Sequence, residues 1–136
     1  MRTPPLLLFA ALVAVGCNSG PRTAPVSGKV TLDGQPLANA RVNFQPMGGS
    51  TVTGVGSYGK TDGEGKYTLR LIDDTAAGAI VGKHKVTIVL EQADTDEHDR
   101  RKGPVKNLPP KYNFDSELTF EVKPGQNTAD FPLSSK

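Results

Sequence analysis

One cysteine and no tryptophan occur among the 136 residues, and neither sign of charge dominates: 16 lysines and arginines face 14 aspartates and glutamates, for a formal net charge of +2. Each shortage excludes something. A lone thiol rules out an internal disulfide framework and a clustered thiolate metal site. A near-neutral chain lacks the concentrated basic face that phosphate backbones require, so nucleic acid is not an expected partner. No apolar run reaches the ~20 residues needed to cross a bilayer as a helix. No segment shows a helical hydrophobic period either, which removes the usual crossover element of a parallel sheet.

What is present begins with "LLLFAALVAVGCNSG", where the only cysteine stands just past the end of an apolar run. Leu6 to Val15 follows Met1, Arg2 and two prolines, a short basic start and a hydrophobic middle of export-signal length. Residues Ala14, Val15 and Gly16 before Cys17 resemble the lipobox of bacterial lipoproteins, with Ala14 where leucine or valine is usual. The resemblance implies that lipoprotein-processing machinery cuts after Gly16 and that Cys17 carries a diacylglycerol. Two acyl chains, at ~0.8 kcal/mol per buried methylene, suffice for stable anchoring. The competing reading is an ordinary cleaved signal with an incidental buried cysteine. Against it, Asn18, Ser19 and Gly20 are polar loop formers, unlike the core setting in which cysteine is usually found.

The expected organisation is therefore a signal over residues 1–16, a flexible tether over 17–25 with Pro21 and Pro25, and one domain over 26–136. The expected location is the cell membrane or outer membrane, facing the periplasm or the cell surface.

From Val26 onward the pattern is a two-residue alternation, the mark of strands with one buried face. Val26, Gly28, Val30 and Leu32 share one phase in "VSGKVTL", and Ala40, Val42 and Phe44 share it in "ARVNFQP". Tyr67, Leu69 and Leu71, then His84, Val86, Ile88 and Leu90, continue the series, followed by Leu118, Phe120 and Val122 and by Ala129, Phe131 and Leu133. A weaker strand is expected around Ser57 to Thr61. Asp33-Gly34, Asp62-Gly63 with Gly65, and Pro124-Gly125 supply turns between them. About seven short strands joined by turns predict an antiparallel, all-β, Greek-key sandwich.

The succession "VSGKVTLDGQPLANARVNFQP", "GKTDGEGKYTLRL", "GKHKVTI" and "VKPGQNTADFPL" resembles the carboxypeptidase regulatory-like domains, a transthyretin-like (prealbumin-like) group of seven-stranded sandwiches. It is closest in kind to the small planctomycete-type lipoproteins built from one such domain. The likeness spans nearly all of Val26 to Leu133. The residues that carry it are turn and core residues, and a fold of this kind serves many roles. An enzyme of the same fold, the transthyretin-like hydrolase of hydroxyisourate, ends in Tyr-Arg-Gly-Ser. This chain ends in "DFPLSSK", with His84 at a strand start and His98 in a charged loop. No catalytic residue and no cofactor are expected.

Three acids, Asp94, Asp96 and Asp99, are weak calcium candidates in "ADTDEHDRRK". They lack the spaced loop of an EF-hand, and Arg100, Arg101 and Lys102 can neutralise them, so a solvated loop competes with a metal site. Tyr58 and Tyr112 are the tyrosines available for ligand contact. Tyr112 has a second reading, in which it pins the long connection 93–116 to the domain. The function expected is structural, adhesive or protein-interacting, in the bacterial envelope, toward an unknown envelope protein or glycan. The alternative is a carbohydrate-binding module that stacks sugars on Tyr58 and Tyr112.

Overall fold

Side chains that alternate between core and solvent along short extended segments determine the architecture. The computed structural model describes residues 22–48, 54–91 and 108–136. Within them lie β1 (Thr23–Ala24), β2 (Val26–Leu32), β3 (Gln35–Pro36), β4 (Ala40–Pro46), β5 (Ser57–Lys60), β6 (Lys66–Thr68), β7 (Arg70–Leu71), β8 (Ala79–Ile80) and β9 (Gly82–Leu90). A single 3-10 turn (Pro110–Tyr112) precedes β10 (Thr119–Val122), β11 (Asn127–Thr128) and β12 (Phe131–Leu133). The chain is all-β.

One sheet runs β10-β9-β4-β5-β7, with every pairing antiparallel. A second five-stranded sheet is built around β2, which takes β3 and β6 antiparallel and β11 and β12 parallel, and β1 pairs with β8 in a separate two-stranded sheet. The two five-stranded sheets feed one apolar core. Val26, Val30, Ala40, Val42, Phe44, Leu69, Val86, Ile88, Val122 and Ala129 are all essentially inaccessible. Leu90, Leu118 and Phe120, expected inside, are only partly buried and pack against that core from its margin. They lie toward the ends and the outer strand of the first sheet, where fewer neighbours cover them.

Three expectations are corrected. The first is that every pairing would be antiparallel: β11 and β12 run parallel to β2, although no helix joins them. Parallel neighbours need a long connection. Here the rest of the domain is that connection, because β2 lies near its start and β12 near its end.

The second concerns the segment 66–71, expected as one strand. It divides at Leu69, so that β6 pairs with β2 in one sheet and β7 with β5 in the other. Leu69 keeps its inward phase and donates its N–H to the Val26 carbonyl.

The third concerns the tether. Thr23–Ala24, expected within it, pairs with Ala79–Ile80, and the Val81 N–H is received by the Arg22 carbonyl. The small side chain of Ala24 is buried, and the Ala24 carbonyl comes so near Gly78 that a Cβ there would lie 2.0 Å from it. Gly78 also has φ +89°, a conformation that suits glycine. The domain thus includes β1, which lies before the expected boundary at Val26. The signal, Cys17 and residues 18–21 lie outside the described residues, as do Asp94, Asp96 and Asp99 with the rest of 92–107.

Candidate functional site

The most patterned residues of the chain are engaged in building the fold. Asp62 accepts the N–H groups of Glu64 and Lys66 on Oδ1 and so closes the turn between β5 and β6. Asn127 closes the Pro124-Gly125 turn: its Nδ2 donates to the carbonyls of Lys123 and Gly125, and its Oδ1 accepts the Lys123 N–H. Tyr67 reaches across β2 to donate its hydroxyl to the Ala129 carbonyl, and burial raises its pKa, so the phenol remains a donor. Buried Thr61 receives the Ala40 N–H on Oγ1. These contacts tie Asp62 Oδ1, the Asn127 amide, the Tyr67 hydroxyl and Thr61 Oγ1 to the backbone.

His84 is wholly buried on β9 against Phe44, with ring centroids 5.6 Å apart. Its Nε2 lies 2.6 Å from the Ile80 carbonyl and donates to it, which leaves Nδ1 as a buried acceptor with no hydrogen-bond partner. Burial lowers its pKa from the ordinary 6.5, and the bond to the Ile80 carbonyl opposes that shift in part. The folded state therefore binds fewer protons than the unfolded chain below that value. Its contribution to stability is fully present above the ordinary imidazole pKa and is lost as pH falls through it toward the lower folded value. Denaturant midpoints should drop between about pH 7.5 and 5, the range spanning the ordinary imidazole value, and drop less in His84→Gln. Equal pH dependence in the two proteins would refute the assignment.

The two tyrosines do not form the expected sugar-stacking pair. Tyr112 is buried, its hydroxyl accepts the Ser134 N–H at 2.9 Å, and Lys111 Nζ lies 5.1 Å from its ring centroid. It ties the 3-10 turn to the backbone just after β12, in line with the second of the two roles expected for it, pinning the long connection to the domain. Tyr58, on the outer face of β5, has the Arg41 guanidinium 4.5 Å over its ring centroid, and Arg41 Nε donates to Asn43 Oδ1. A cation already occupies one face of that ring.

The aromatic ring that does face solvent is Phe114, 77% exposed. It borders a recess of about 390 Å³ lined by Val89, Leu90, Leu108, Pro110 and Asn113. Sequence reasoning passed over it by assigning most phenylalanines an inward phase. Its flanks, Asn113 and Asp115, are turn formers without strand alternation, and that signal was available. Among the described residues no group of three or more His, Cys, Asp or Glu side chains is placed to hold a metal ion.

The larger concavity is a groove of about 600 Å³ on the solvent face of β2 and β6. Ser27 lies opposite Thr68 and Lys29 opposite Lys66 in the antiparallel register, with Gly28 and Tyr67 between them. Lys60 and Asp62 complete the lining from the end of β5 and the turn that follows. Lys60 Nζ is 2.9 Å and Arg41 Nη1 3.6 Å from the Glu91 carboxylate, and Lys66 Nζ is 3.0 Å from Glu64. The hydrogen bond from Lys60 is the main reason the Glu91 pKa lies below its ordinary value, and the Glu64 carboxylate raises that of Lys66. Lys29 forms no ion pair among the described residues, and its backbone N–H donates to Asp130 Oδ1.

No protein-family model matches the chain, and no curated protein matches it. Among solved structures it is similar to a DUF3823 family protein from Parabacteroides merdae, at 12% identity and a TM-score of 0.46. The similarity covers 83% of this chain and 46% of the other, so the chain spans less than half the length of that protein.

Proposed function

We propose that the protein is an exported lipoprotein, anchored by acylated Cys17, whose all-β sandwich of the carboxypeptidase regulatory-like kind has an adhesive or scaffolding role at the bacterial envelope without catalysis. The observation that carries this reading is the Ala14-Val15-Gly16-Cys17 junction followed so soon by an ordered domain. Among the described residues pairing is present from Thr23 onward, and the chain between Cys17 and Thr23 spans at most about 20 Å when fully extended. Such a leash holds the domain against the membrane surface, where it can engage neighbouring envelope components but cannot reach far from the bilayer. The engagement of Asp62, Tyr67 and Asn127 in turn and core hydrogen bonds fits a binding or scaffolding module better than an enzyme.

A second reading, a carbohydrate-binding module, draws support from the groove on β2 and β6, where paired hydroxyls and ammonium groups face solvent together. Fractionation tests the anchor. Cys17→Ser should move the protein from the membrane to the soluble fraction and abolish incorporation of a fatty-acid analogue. Equal membrane retention of mutant and wild type would refute lipidation at this residue.

A further inference from the structure

We infer that the groove on β2 and β6 binds the carboxylate or sulfate groups of an acidic polysaccharide through Lys29, Lys60 and Lys66, an inference that rests on the carbohydrate reading above. The register is its starting point. Lys29 and Lys66 are direct cross-strand neighbours in the β2–β6 ladder, and like charges so placed destabilise a sheet. Folding alone asks only that both positions be polar. A third ammonium, that of Lys60, comes from β5 in the other sheet, close to where the 66–71 segment passes between sheets. Three cations from three strands thus share one concavity.

The acids around them do not close it. Asp62 lines the groove and keeps its charge, but Oδ1 is held by two backbone N–H groups and the carboxylate forms no ion pair with a groove lysine among the described residues, acting on Lys66 more weakly than Glu64 does. Asp130 accepts the backbone N–H of Lys29 and forms no ion pair with the Lys29 ammonium among the described residues. Glu64 and Glu91 pair with Lys66 and Lys60 at solvent-exposed or partly exposed positions, where such pairs contribute little and exchange readily. An incoming oxyanion can displace them and gain charge-assisted hydrogen bonds from several ammonium groups at once.

The neighbouring cross-strand pair, Ser27 and Thr68, adds two hydroxyls that can both donate to and accept from sugar hydroxyls. A volume of about 600 Å³ lies within the usual range of small-ligand sites. The aromatic residue in the lining, Tyr67, is buried and offers no open ring face for stacking. Recognition here therefore operates through charge and hydroxyls, which selects acidic glycans over neutral ones.

The test titrates the full-length protein, purified as expressed, with polygalacturonate, dextran sulfate and uncharged dextran. At least one of the two polyanions should bind in a salt-dependent manner, and dextran should not. Lys29→Gln combined with Lys66→Gln should weaken binding about tenfold or more, the equivalent of one or two charge-assisted contacts. Lys83→Gln with Lys85→Gln, on the outer face of β9, should leave it within about twofold, as should Phe114→Ala, because neither touches the groove. Melting temperatures of all variants serve as the folding control. Equal loss in the Lys83/Lys85 variant would reduce the effect to bulk charge and overturn the site. Binding to dextran as tight as to the polyanions, or binding to phosphatidylglycerol vesicles with none to either polyanion, would also overturn it. Failure of every polysaccharide removes the groove inference and leaves lipid anchoring to be judged separately by Cys17→Ser.

Discussion

Phe44→Ala is expected to lower the stability of the domain by about 3–5 kcal/mol, the range for truncating a buried phenylalanine. Phe44 is 1% exposed and central to the core: its ring centroid lies 5.6 Å from that of His84, 5.8 Å from Phe120 and 6.3 Å from Phe131. Those partners come from β9, β10 and β12, so the ring contacts both sheets, and no single strand can move in to fill the space. Total stabilities of small domains are ~5–15 kcal/mol, and this one has no disulfide to restrict its unfolded state. The truncation removes a large share of the margin. Glu121→Ala, on the exposed face of β10, should change stability by no more than about 0.5 kcal/mol. Denaturant unfolding measures both, and comparable losses would mean that the inward phase assigned to these strands is wrong.

Gly28→Ala should be nearly as damaging, for a different reason. A Cβ at this position would lie 1.8 Å from the Ala129 carbonyl oxygen, and backbone has no rotamer with which to give way. Ala129 also donates its N–H to the Ser27 carbonyl and accepts the Tyr67 hydroxyl. Relieving the clash pushes the β11–β12 segment away from β2 and breaks both bonds. The expected loss is at or above the upper end of the ~1–3 kcal/mol typical of overpacking. Gly63→Ala provides the control, because a Cβ there meets nothing within 4 Å. Faster amide exchange at Ala129 in Gly28→Ala would locate the damage, and equal stability of the two alanine variants would contradict the parallel closure of the domain.

The contrast between these two positions shows what the sequence made legible. Phe44 could be placed inside because strand alternation is a local, two-residue property, and Val42, Ile88 and Phe131 followed from the same reasoning. Gly28 shared that inward phase, but nothing near it in the chain announced that Ala129 would lie against it. Strand partners are chosen by long-range packing, which also explains why the parallel pairs of β11 and β12 and the division of 66–71 between sheets went unread. Thr23–Ala24 was hidden for another reason: two residues between Pro21 and Pro25 have the composition of a linker, and only the partner strand Ala79–Ile80 makes them a strand. The candidate site shows the same limit. Lys29, Lys60 and Lys66 each occupy an exposed strand position, which by itself singles out none of them, and it is the β2–β6 register that makes two of them neighbours. Tyr112 was half legible, since an aromatic in "LPPKYN" could either pin a loop or contact a ligand, and its hydroxyl bond to Ser134 selects the first.

The proposed envelope role stands on attachment of this domain to a membrane through Cys17. Intact-mass analysis of the protein extracted from host membranes tests that attachment most directly. The expected chain begins at Cys17 and carries the added mass of a diacylglycerol on the cysteine, with the acyl mass confined to the N-terminal peptide after proteolysis. A chain that retains residues 1–16, or that begins at another residue with no acyl mass, would contradict it.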